Sequence, residues 1–157
     1  MFQKLARIFL FSAGVILTIT GAAKVVSGFG SARVLQVPDP VFYISFQTLF
    51  WLVGVLEIVV ASYCFFGKRI LLKTGSVAWL ASGFVLYRMA LKWLDYQKPC
   101  SCLGSLTGAL HIAPDKADLI MRIVLAYLFI GSYVILTWIW LHPEKPTPVA
   151  HATPASV

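Results

Sequence analysis

Charge is what this chain has least of. Of 157 residues, 12% are charged and 59% hydrophobic, with six Asp and Glu against thirteen Lys and Arg. A soluble domain carries roughly a quarter charged residues, so this composition excludes a water-facing surface of ordinary size. The alternating pattern of an outer-membrane barrel is missing too, and there is no internal repeat. Cysteine and histidine are also scarce, at three each. Only two of the cysteines lie close together, with His111 as the nearest further ligand, and zinc usually takes four ligands. A metal site therefore ranks last among the readings below.

What the chain does have is long apolar runs, at about residues 5–26, 41–66, 75–94 and 119–141. Each reaches the roughly 20 residues that an α-helix needs to cross about 30 Å of hydrocarbon. Lipid leaves no partner for open backbone groups, which favours helices over any other spanning form. The expected fold is all-α, an integral membrane bundle of four transmembrane helices filling residues 1–141. The Pro- and Ala-rich tail, residues 142–157, lies outside it and is expected to be extended or disordered. The first run resembles a secretory signal, but its apolar stretch is longer than a signal core, so it is expected to be retained.

Lys and Arg in short segments set the orientation. Lys4, Arg7, Lys68, Arg69, Lys73 and Lys145 all fall on one side of an even-helix bundle. Both termini are therefore expected in the cytoplasm, in a bacterial inner membrane. The net charge of +7 then reads as a topology signal and not as a nucleic-acid footprint. The partner it points to is the lipid bilayer.

This orientation puts KPCSCLGSLTG, residues 98–108, on the extracytoplasmic side, where thiols are usually oxidised or cycling. Cys100 and Cys102 are the candidate reactive pair. A disulfide between residues i and i+2 forms only in a constrained turn, and strained, exposed disulfides exchange readily. Gly104 is the candidate loop-shaping residue, since glycine supplies backbone angles that others resist. Redox exchange is the leading reading, a structural staple the second and metal ligation the third. Cys64, a membrane's width away, reads as a buried small hydrophobe.

Ionisable residues inside the apolar runs form the second constellation. Such residues are costly in lipid and are functional candidates by default. Counting about 1.5 Å per residue sets Glu57 and Arg88 at similar depth, so they are the expected intramembrane charge pair. Its function is either a packing clasp or a proton or redox role. Lys24 and Lys92, nearer helix ends, are supporting cations that could also snorkel to the interface. Arg88, Lys92 and Asp95 share one helix face that climbs toward Cys100, and nearby cations favour a reactive thiolate. Asp115 and Asp118 read as a helix start, with Asp118 and Arg122 spaced to pair. The tryptophans at positions 51, 79, 93, 138 and 140 suit an interfacial belt.

Together these residues resemble the MauE/DoxX group of small four-helix, redox-associated membrane proteins. GAAKVV (Gly21, Lys24) is similar to that group's Gly-x-x-Lys, and GVLEIVVA (Gly54, Glu57) to its Gly-x-x-Glu. CSCLG is similar to its Cys-x-Cys-Phe-Gly, with Leu103 at the phenylalanine position. The similarity runs over residues 7–141. It implies a helical bundle linked to thiol–disulfide or quinone-linked electron transfer. A quinone is thus the implied cofactor, and a periplasmic protein or a larger membrane complex the implied partner. The competing reading is a non-catalytic accessory subunit.

Overall fold

The computed structural model of the chain describes residues 2–29, 36, 38–94 and 114–142. Among these it is all-helical. The elements are α1 (Phe2–Gly28), α2 (Phe46–Phe66), α3 (Ile70–Trp93) and α4 (Pro114–Leu141). Each is long and apolar enough to cross a membrane.

The starts and stops differ from the apolar runs, and for local reasons. Residues 38–45 belong to a turn and not to α2. An isolated antiparallel bridge joins Pro38 to Ser45, and the Ser45 hydroxyl then caps α2 by accepting from the Thr48 amide at 3.3 Å. Gly67 ends α2, its amide donating to the Tyr63 carbonyl at 2.8 Å. The next helix begins at Ile70, so Lys73 lies within α3 and not in a loop. Its ammonium donates to the Cys64 carbonyl at 2.7 Å and the Phe65 carbonyl at 3.4 Å. A cation there satisfies helix-end carbonyls and complements the C-terminal end of the α2 dipole. The last helix begins at Pro114, which suits a first helical position because proline has no amide to leave unpaired. Asp115 is therefore inside the first turn and not the cap expected of it.

The first helix is the most buried of the four and the last helix the least. Ala6, Ala13 and Leu17 on α1 join Ala61, Val77, Ala81 and Leu128 in the central cluster. Large apolar side chains cover the outside, among them Ile8, Leu52, Leu86 and Ile130. Such a surface is suited to hydrocarbon. Tyrosine hydroxyls pin α4 in place. Tyr127 meets Ser12 of α1 at 2.7 Å, and Tyr133 meets Ser82 of α3 at 2.9 Å.

The tightest seam runs between α1 and α2, which are antiparallel. Gly14, Gly21 and Gly28 recur every seventh residue on α1 and face Phe65, Gly54 and Trp51 of α2 in turn. A Cβ on Gly21 would sit 2.9 Å from the Gly54 carbonyl oxygen, and one on Gly54 would sit 2.9 Å from that of Gly21. Small residues at a helix crossing let backbones approach closely, which is how helices gain packing energy where lipid removes the hydrophobic drive. Gly28 is closed by the Trp51 ring, against which Phe29 packs edge-on at 4.5 Å.

This seam sets up a paired test. Gly21→Ala should lose about 1–3 kcal/mol by overpacking. Gly83→Ala, where nothing lies within 4 Å of the added methyl, should be neutral or gain up to about 1 kcal/mol. Thermal unfolding of the two variants in detergent, followed by circular dichroism, checks both. Equal melting temperatures would overturn the account of the crossing.

Candidate functional site: a buried ion pair and the polar stripe of α3

The candidate site grows from the Gly21–Gly54 crossing. Lys24 stands one turn beyond Gly21, and Glu57 one turn beyond Gly54. Because the helices are antiparallel, these two backbones lie on opposite sides of the crossing. Side chains on a helix lean toward its N-terminus, so both lean back toward the crossing and meet. The Lys24 ammonium donates to both carboxylate oxygens of Glu57, at 2.7 and 2.9 Å. Lys24 is 6% exposed and Glu57 2%. A charge buried this deeply is tolerable only when paired and hydrogen-bonded, and this bidentate contact meets both conditions. The α3 side contributes Phe84, whose ring centroid lies 5.5 Å from the ammonium, within range for a cation–π contact.

One turn further along α3 are Tyr87 and Arg88. The Tyr87 hydroxyl donates to Oδ2 of Asp39, a fully buried carboxylate in the α1–α2 connection. The other oxygen of Asp39 accepts the amides of Val41 and Phe42 at 2.8 and 2.9 Å. This is an Asx-type turn, the local structure that aspartate favours. Phe42 stacks on the Tyr87 ring at 5.9 Å, and Tyr43 takes a positive φ of 57° to finish the turn. Arg88 turns the other way, to Oδ1 of Asp118 on α4 at 2.5 Å. Asp118 also accepts from Arg122 at 2.6 Å through its second oxygen. Phe84, Tyr87 and Arg88 thus form one stripe that ties α3 to α1, to the α1–α2 connection and to α4.

The expected Glu57–Arg88 pair is not formed. Matching depth along two helices does not make them adjacent at that depth. The glycine crossing brings α1 against α2, so Lys24 reaches Glu57 first. Arg88 finds its carboxylate on α4 instead. Lys24 accordingly does not snorkel to an interface. Lys92 is exposed near the end of α3, where an interfacial lysine is expected to be. The Asp118–Arg122 pairing expected from i,i+4 spacing is present. Cys64 is buried in the central cluster. Cys100, Cys102, Gly104, Asp95 and His111 lie outside the described residues.

Asp39 and Tyr87 were not singled out from the sequence. The available signal was the run Pro-Asp-Pro, where aspartate sits at a turn and is positioned to accept its own downstream amides. Among the described residues, no group of three or more His, Cys, Asp or Glu side chains is placed to hold a metal ion. No buried side-chain nitrogen or oxygen among them lacks a hydrogen-bond partner.

Fold and site together describe a small helical protein of multi-pass membrane type, organised around a buried Lys24–Glu57 ion pair. Comparison of the chain with family models, with curated proteins and with solved structures finds no match.

Removing one partner of a buried pair strands the other charge and typically costs about 3–5 kcal/mol. Lys24→Met and Glu57→Leu should each destabilise on that scale, and the double variant should recover most of the loss. A double-mutant cycle on unfolding in detergent measures this coupling. A double variant as unstable as the sum of the singles would show that the two side chains act independently. Tyr87→Phe should cost less, about 1–3 kcal/mol, the penalty for leaving one oxygen of Asp39 unsatisfied.

Proposed function

We propose that this chain is a redox-associated protein of MauE/DoxX type in a bacterial inner membrane, with both termini cytoplasmic. Its extracytoplasmic Cys100–Cys102 pair exchanges disulfides with a periplasmic protein, or passes electrons to a quinone. The observation that carries this reading is the ionic bridge of Arg88, Asp118 and Arg122. The two cysteines belong to the segment that leaves α3 after Trp93 and re-enters the bundle at Pro114. The bridge joins those same two helices near their loop ends, with two guanidinium groups to one carboxylate. Fixed stems and nearby guanidinium groups favour a thiolate, which is the reactive form.

The motif residues support the reading independently. Gly-x-x-Lys and Gly-x-x-Glu come together as one crossing with one ion pair, which gives a physical reason for their linked spacing. In the exchange, one thiolate attacks a partner disulfide and forms a mixed disulfide. The second thiolate then displaces it, so the partner leaves as a dithiol and Cys100–Cys102 as a disulfide. Run backwards, the same steps oxidise the partner. Gly104 shapes the loop for attack.

A second reading is favoured by the completeness of the buried pairing. Every buried side-chain polar atom among the described residues is satisfied, which suits a packing clasp in an accessory subunit whose cysteines form a staple. One experiment separates the two. Cells are acid-quenched and their thiols alkylated with a mass tag, in the native chain and in Cys100→Ser/Cys102→Ser. The exchange reading expects a mixed redox population that moves with added oxidant or reductant, and a mixed disulfide trapped by either single Cys→Ser variant. A pair that stays oxidised under reductant, with no trapped partner, would establish the staple.

A further inference from the structure

We infer that Arg122, held by Asp118 at the loop end of α3 and α4, is a binding site for the phosphate of an anionic phospholipid headgroup. The inference does not depend on the redox reading. It starts from the Asp118 carboxylate, which accepts from two guanidinium groups. The Arg88 side chain is 23% exposed, whereas that of Arg122 is 68% exposed. Guanidinium has five N–H donors in a planar fork. The bond to Asp118 engages one nitrogen of the Arg122 head while the side chain stays mostly exposed. That is a pre-ordered acceptor for phosphate oxygens, which arginine binds in bidentate fashion.

Position along the helix selects a lipid as the source of that phosphate. From Arg122 to the end of α4 at Leu141 is about 20 residues, or about 30 Å, the thickness of the hydrocarbon core. Arg122 therefore stands at the level where headgroups begin when α4 spans a bilayer. Its neighbours fit the same boundary. Trp93 is almost fully exposed, and Leu119 and Ile123 are more than half exposed. Lys92 and Lys116 are also exposed at this end. A free anion would meet this apolar rim at a loss, whereas a phospholipid places its tails on the rim and its phosphate on Arg122. A net-anionic headgroup is favoured over a zwitterionic one because the latter brings its own cation.

The test is a titration of delipidated protein in detergent, read by native mass spectrometry, with phosphatidylglycerol, phosphatidylcholine or inorganic phosphate. The chain should retain one phosphatidylglycerol in preference to phosphatidylcholine. Arg122→Gln should weaken that binding about fivefold or more, the order expected for one interfacial cation. Arg122→Lys, which keeps the charge and loses the fork, should fall between them. Lys4→Gln, an exposed cation at the opposite end of the bundle, should leave binding unchanged. Equal affinity of Arg122→Gln and the native chain would overturn the site. So would equal retention of the two lipids, or complete displacement of phosphatidylglycerol by millimolar inorganic phosphate.

Discussion

The close crossing of α1 and α2 at Gly21 and Gly54 is the constraint on which the rest of the bundle depends. It puts two backbones in contact where any side chain would hold them apart. That approach brings Lys24 and Glu57 within hydrogen-bond distance, and the pair makes the burial of either charge affordable. The dependence also runs back, since a charge without its partner would draw water or lipid headgroups into the seam. Packing and electrostatics are therefore one feature here, made of four residues in two Gly-x-x-charge segments.

The third helix connects that feature to the end of the bundle. Phe84 meets the Lys24 ammonium, Tyr87 holds Asp39, and Arg88 holds Asp118. Each contact joins α3 to a different element, and all three fall within five residues. A rotation of α3 about its axis would break all three together, so the stripe sets the angle of the helix. It also sets the spacing of α3 and α4, and with it the separation of the stems of the cysteine segment.

Much of this was legible in the residues, and the failures are instructive. Helix number and approximate extent follow from length and apolarity, because a 30 Å slab leaves little choice. Helix starts were harder to place. Val41 to Ile44 look like helix by composition, but the Asp39 carboxylate takes the Val41 and Phe42 amides and the Asp39 backbone bonds Tyr43 and Ile44, closing a turn. The ionisable residues of interest were visible because charge in an apolar run stands out. Their partners were not, because a depth count treats each residue as a point on its own axis. It ignores the lean of side chains toward the helix N-terminus, and that lean decides which charges meet. Asp39 was visible only as one more loop charge, since nothing in its immediate neighbours states that Tyr87, 48 positions away, will bond to it.

The two principal ion pairs have a consequence for how the chain enters a bilayer. Lys24 and Glu57 lie on consecutive helices, and so do Arg88 and Asp118. A charged residue at the centre of a lone spanning helix costs about 2.5–3.5 kcal/mol on the insertion scale. For Glu57, near the middle of α2, pairing with Lys24 offsets that cost within the first helical hairpin. Arg88 and Asp118 likewise meet within the second hairpin, while Tyr87 on Asp39 and Phe84 over Lys24 link the two hairpins.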